Sequence, residues 1–187
     1  MHNLKIILAS TREGRKGPAV ANWITGVAKA DNRFATQLVD LAEVNLPFLD
    51  EPNHPRLRKY THEHTKAWSA VVDRADAFIF VMPEYNYGYS APLKNAIDYV
   101  FWEWHHKPVG LVSYGGVSGG LRATQLLKPV LTAVQLTVAG EVPIPFFRNF
   151  IGEDGVFKPN EVLQKAAQRM LDGIAKWAEV LGPMRVS

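Results

Sequence analysis

The chain predicts an α/β fold: a five-stranded parallel sheet in the order 2-1-3-4-5, with helices on both faces. Three observations carry this expectation. Strand-like and helix-like segments alternate five times along 187 residues, with no internal repeat and no low-complexity tract. The run Ala77-Phe78-Ile79-Phe80-Val81-Met82 is apolar at every position, as a strand covered on both faces must be. Several strands end in loops rich in glycine, proline, hydroxyl or cationic residues, which puts the chemistry where parallel strands present their carboxyl ends. Five strands favour this order over a full dinucleotide-binding sheet, and the length suits a single domain over residues 1–187.

The first strand is expected over residues 4–9, a short apolar run without a charged segment before it, and so not a signal peptide. It leads into a loop, 10–18, with two glycines, three cations and two hydroxyls. Ala19, Trp23, Ile24, Val27 and Ala28 then recur at helical spacing as far as Asp31-Asn32, and residues 34–41 alternate as a second strand. Residues 47–58 carry three prolines and little periodicity, the pattern of a long surface loop. A helix over 61–75 turns Trp68, Val71 and Val72 to one face and leads to the third strand, 77–82. Pro83 ends that strand because it has no N–H for a ladder, and Gly88 is expected to supply a positive-φ turn. Ser90 is expected to cap the next helix, with Pro92 in its first turn and Leu93, Ala96 and Ile97 on its apolar face. Pro108 opens a fourth strand, 109–114, that ends in Gly115-Gly116-Val117-Ser118-Gly119-Gly120. A helix over 121–133 is expected to be irregular near Pro129. A fifth strand over 135–139, a separate proline-broken extended piece over 142–147 and a helix over 161–181, stopped by Gly182-Pro183, complete the pattern.

Composition narrows the function classes. A hydrophobic fraction of 47% and a charged fraction of 21% are ordinary for a globular chain, and no apolar run reaches the length of a membrane span. The absence of cysteine removes disulfides, thiol catalysis and thiolate metal sites, and fits a reducing cytoplasm. The net charge of +3 is mild, and no basic stripe with interleaved aromatics points to nucleic acid.

Three loops converge at the carboxyl edge. The loop 10–18 offers hydroxyls, backbone N–H groups at a helix N-terminus and the cations Arg12, Arg15 and Lys16, a set that suits a phosphate dianion. It matches neither G-x-x-x-x-G-K-[ST] nor G-x-G-x-x-G, which argues against a nucleoside triphosphate and a dinucleotide. The loop 83–86 can present the successive N–H groups that follow Pro83 and the Asn86 amide to a flat heterocycle, with Tyr85 and Tyr87 around it. In 113–120, glycines let backbone approach a ring edge closely.

Met82-Pro83-Glu84-Tyr85-Asn86, followed by Ser90-Ala91-Pro92-Leu93-Lys94-Asn95-Ala96-Ile97-Asp98, resembles the flavin-binding signature of the NAD(P)H-dependent FMN reductases. That family has a flavodoxin-like fold and includes flavin, quinone, azo-dye and chromate reductases. Ser10-Thr11-Arg12 with Arg15 and Gly17-Pro18 is similar to its FMN phosphate loop, and 114–122 resembles its second ring-contacting loop, so the likeness spans nearly the whole chain. The resemblance implies FMN as cofactor and NADPH or NADH as co-substrate. It implies Ser10, Arg12, Arg15 and Gly17 at the phosphate, Pro83, Glu84, Tyr85 and Asn86 along the isoalloxazine ring, and Ser113, Tyr114, Gly115 and Gly116 at a ring edge. Lys94, Asn95 and Asp98 are given a structural part, fixing helix to loop.

The implied activity is hydride transfer from nicotinamide to FMN N5 and on to a quinone, flavin, azo dye or oxidised metal ion, the two substrates taking turns at one surface. The cofactor supplies that chemistry, so no residue is assigned as a catalytic acid or base, Glu84 included. A flavodoxin-like FMN electron carrier without nicotinamide turnover is the alternative, disfavoured by the Arg-bearing first loop. A flavin-responsive interaction protein is a third. The histidines lack the i, i+4 spacing of a helical metal site; His2, His54, His62 and His64 are expected at the surface, and His105 and His106 have no assigned role. Phe101-Trp102-Glu103-Trp104 and the nearby tyrosines fit either core or a subunit interface of a homodimer or homotetramer.

Overall fold

The structure is a computed structural model that describes residues 1–185. Five strands, β1 (His2–Leu8), β2 (Phe34–Asp40), β3 (Ala77–Pro83), β4 (Lys107–Tyr114) and β5 (Leu136–Ile144), form one sheet in the order β2-β1-β3-β4-β5. Every pairing is parallel, so all five carboxyl ends lie at one edge. All seven residues of β3 are buried, which accounts for its unbroken apolar sequence. Successive side chains of a strand alternate in direction. Ala77, Ile79 and Val81 therefore join the helices α1 (Gly17–Lys29) and α6 (Glu161–Leu181) on one face. Phe78, Phe80 and Met82 join α3 (Glu63–Asp73), α4 (Ala91–Asp98) and α5 (Leu121–Ala133) on the other. A one-turn helix, α2 (Leu41–Val44), follows β2, its N-terminus capped by Asp40, whose carboxylate accepts from Ala42 N–H.

Several elements differ from the sequence expectation. The fifth strand does not stop near 139. It continues through Gly140, Glu141 and Pro143 to Ile144, with a register shift beside Val109 and Gly110 that leaves Ala139 as the extra residue. Proline is tolerated because β5 is an edge strand. Pro129 does not interrupt α5; it is exposed, so water can reach the carbonyl it leaves unpaired. Gly88 does not carry the positive φ of its turn. Asn86 (φ 48°) and Tyr87 (φ 71°) do, closing a two-residue hairpin in which Tyr85 and Gly88 exchange both backbone hydrogen bonds at 2.9 Å. Ser90 stands at the N-terminus of α4, but its hydroxyl makes no cap bond. It donates to Ala9 O at 2.8 Å, fixing α4 to the end of β1.

The stretch 47–60 is held down along its length. Asn95 donates to Pro47 O (2.7 Å) and accepts from Leu49 N–H (3.0 Å), and Tyr99 donates to Pro47 O (3.0 Å). The carboxylate of Glu103, 3% exposed, accepts from the hydroxyls of Tyr60 (2.9 Å) and Ser69 (2.7 Å). Trp104 and Tyr99 are fully buried within the chain, while Trp102 is exposed. His54 is exposed and His2, His62 and His64 are half-buried; His105 is buried between Phe101 and Trp102. Among the described residues no helix is long and apolar enough to cross a membrane, and no cluster of three or more His, Asp or Glu could hold a metal ion.

Candidate functional site

Four loops meet at the carboxyl edge around a cleft of about 340 Å³, a size at which small-molecule sites begin. The loop after β1 contributes Arg12, Arg15 and Lys16. The end of β3 contributes Pro83, Glu84 and Tyr85, and the end of β4 contributes Tyr114, Gly115 and Gly116. The fourth wall, Phe146, Phe147, Arg148 and Asn149, follows β5 and is absent from the sequence expectation. Two wider depressions, of about 520 and 530 Å³, lie elsewhere and do not gather the predicted residues.

The walls are stitched to one another by main chain. Ala9 N–H donates to Val81 O (2.9 Å), Glu84 N–H to Tyr114 O (3.0 Å) and Phe146 N–H to Gly116 O (3.0 Å). Ser113 Oγ donates to Gly119 O at 2.9 Å and holds the glycine loop in shape. Gly119 (φ 61°) and Gly120 (φ 87°) occupy left-handed backbone that a side chain disfavours. At Gly116 nothing lies within 4 Å of where a Cβ would stand, and its bare backbone is open to the cleft.

The charged side chains divide into paired and unpaired. Arg15 makes two bonds to the Asp40 carboxylate, at 2.5 and 2.6 Å, and a third to Ser10 O. Hydrogen bonding to Asp40 raises its pKa above the ordinary guanidinium value, against the effect of burial. Among the described residues Glu84 is the only acid lining the cleft, and it is engaged at the N-terminus of α5, accepting from Arg122 N–H (3.1 Å) and Nη1 (3.2 Å). Burial pushes its carboxyl up, but hydrogen bonds from Ser118, Arg122 and the Ala123 N–H outweigh this and hold it below the usual range. Arg12, Lys16 and Arg148 are exposed and make no ion pair among the described residues. The cleft is therefore cationic once its internal pairs are subtracted.

Of the remaining predicted residues, Ser10, Gly17 and Ser113 are buried beneath the cleft, and Asn86 sits exposed at the hairpin tip. A Cβ on Gly17 would stand 2.4 Å from Ser10 Oγ and 2.5 Å from the Tyr114 hydroxyl, so glycine is needed to let α1 start there. Both hydroxyls are buried without a hydrogen-bond partner of good geometry. Burial pushes the Tyr114 phenol up to about 12, with the Ser10 hydroxyl and the cations Arg15 and Arg12 pulling the other way. Lys94 pairs with Asp98 at 2.5 Å and Asn95 ties the 47–49 backbone to α4, which are structural tasks.

A doubly wound sheet with a cationic, glycine-bordered cleft at the carboxyl ends is of the class that binds ligands in that crevice, here with a charge that favours an anion. Comparison with known proteins narrows this. The family model for NADPH-dependent FMN reductase matches residues 3–148, and the chain belongs to that family. It is 43% identical over 140 residues to an NAD(P)H-dependent FMN reductase of Schizosaccharomyces pombe, covering 74% of this chain and 70% of the relative. It is 35% identical over 150 residues to one of Saccharomyces cerevisiae, covering 74% and 78%. In fold it is similar to the flavoenzyme NAD(P)H:(acceptor) oxidoreductase FerB from Paracoccus denitrificans, with a TM-score of 0.76, 22% identity and 96% and 98% of the two chains covered.

The residues present fit FMN, the cofactor of this family. Two buried hydroxyls, neighbours of each other but neither in a hydrogen bond of good geometry, lie beside the N-terminus of α1, two cations without an ion pair flank them on the same loop, and the Gly116 backbone leaves room for a ring edge.

Proposed function

We propose that the chain is an NAD(P)H:acceptor oxidoreductase that holds FMN in this cleft and serves nicotinamide and acceptor in turn. The observation that supports it most is the gathering of unpaired cations and open glycine backbone at one mouth, after four parallel strands. Arg12 and Lys16, with the N–H groups at the start of α1, would hold the FMN phosphate. Ser10 and Tyr114 would supply hydroxyls beneath it. Arg15, tied to Asp40, would shape the loop that carries them. Pro83 to Asn86 would run along the ring, with Ser113, Gly115 and Gly116 setting the close approach at its edge. When bound, FMN supplies the chemistry: it accepts a hydride at N5 and returns two electrons to an acceptor. Quinones, free flavins, azo dyes and oxidised metal ions are the acceptor classes. The protein would act as a single domain in a reducing cytoplasm, as a homodimer or homotetramer, with exposed Tyr85 and Tyr87 at the cleft, and exposed Trp102 at the opposite edge of the sheet beside Lys107, as the aromatic area to be covered.

A single cleft gathers the predicted residues and the sequence carries no dinucleotide fingerprint, which supports a surface shared by the two substrates. Double-reciprocal plots of NADPH against several quinone concentrations should therefore be parallel. Intersecting lines would mean that both bind together and would overturn the shared-surface reading.

A further inference from the structure

Resting on that reading, we propose that the turn after β5 selects the second substrate: Arg148 binds the 2′-phosphate of NADPH, and Phe146 offers a face for one of its rings. The FMN phosphate is at most a dianion, and Arg12 and Lys16 on the first loop already match it in charge. Arg148 is a third unpaired cation on the same cleft, carried by a different wall. It is exposed at the mouth, where a ligand that comes and goes would meet it before reaching the floor. Its charge is left for a phosphate other than the cofactor's, and the nicotinamide nucleotides differ from each other by one such group.

The backbone around it is built to stay in place. Phe146 has φ 48°, a left-handed conformation that is strained for a bulky residue. It is nevertheless fixed there, donating its N–H to Gly116 O (3.0 Å) and accepting from Asn149 N–H (2.9 Å). The consequence is a phenyl ring 55% exposed at the rim, while the next ring, Phe147, turns inward and packs on Tyr114 at 4.8 Å. The Arg148 guanidinium lies 5.9 Å from the centroid of Phe147, so one short turn carries both an open ring and a cation without an ion pair, and such a turn can recognise a nucleotide, the ring by stacking and the phosphate by charge-assisted hydrogen bonds.

The test is equilibrium binding to the FMN-loaded protein of adenosine 2′,5′-bisphosphate and of adenosine 5′-phosphate, in wild type, Arg148→Ala and Arg148→Lys. The expected result is that Arg148→Ala weakens the bisphosphate about ten- to hundredfold, changes the monophosphate less than twofold, and that Arg148→Lys recovers most of the loss. Titration of the apoprotein with FMN should give the same affinity in all three. Equal losses for both adenosine ligands, or no loss for either, would overturn the proposal. Selective loss of FMN over riboflavin in Arg148→Ala would overturn it too, assigning Arg148 to the cofactor phosphate. Failure of the wild type to bind FMN would instead sink the reading on which the inference rests.

Discussion

At the scale of single residues, the two arginines of the first loop resemble each other in sequence and differ in use. Arg15 is spent on Asp40, so Arg15→Ala should lower stability by about 2 kcal/mol, the worth of hydrogen bonds to a charged group. Urea denaturation of the apoprotein measures this, and an unchanged midpoint would show that the pair contributes nothing. Arg12 is free, so Arg12→Ala should weaken FMN about ten- to hundredfold while barely changing riboflavin, which has no phosphate. Equal losses for both flavins would assign Arg12 to the fold. Sequence alone placed both residues in one loop but could not divide them, because Asp40 reaches Arg15 only through the pairing of β1 with β2. Asn86 shows a similar limit: its exposed place at the hairpin tip and its φ of 48° account for asparagine there.

At the scale of elements, strand β4 begins with a buried lysine. Lys107 Nζ donates to Val72 O and Asp73 O, both at 2.9 Å, at the end of α3. Burial pulls its pKa down to about 8, with Asp73 opposing. In the unfolded chain the ammonium titrates near 10.5, so between pH 8 and 10.5 the unfolded state binds more protons and stability rises with pH. This group alone contributes ~3 kcal/mol across that window. Burial raises the Tyr114 and Tyr99 phenols to about 12, which has the opposite sign: stability falls above pH 10. Lys107→Met should therefore flatten the rise from pH 8 to 10 measured by denaturant unfolding. A variant that keeps the wild-type slope would show that Lys107 is not its source.

The strands were legible in the sequence wherever both faces are covered, as in β3 and β4, because a strand with water on one face would carry polar residues at alternate positions. Strand β5 was half-legible: Gly140, Glu141 and Pro143 break the apolar pattern at an edge where only one neighbour constrains the backbone. That error hid the fourth wall. With the strand ended at 139, nothing pointed Phe146 and Arg148 towards the cleft; carried to Ile144, the same carboxyl-edge rule would have placed them there.

At the scale of the whole molecule, a parallel sheet brings four loops to one edge, and the charge left there after internal pairing is cationic. The aromatic stretch that argued for a subunit interface is partly absorbed inside the chain, since Tyr99 and Trp104 are fully buried; Tyr85, Tyr87 and Trp102 remain exposed. Light scattering of the FMN-loaded protein at micromolar concentration should still return a dimer or tetramer mass, and a monomer mass with turnover intact would dispose of that proposal. The central claim is tested most directly by anaerobic addition of NADPH to the FMN-loaded protein while the visible absorbance of the flavin is followed. The expected result is bleaching to completion with about one equivalent of NADPH, and return of the absorbance when a quinone is added. A flavin that binds but stays oxidised under NADPH would contradict the claim and leave an electron carrier in its place.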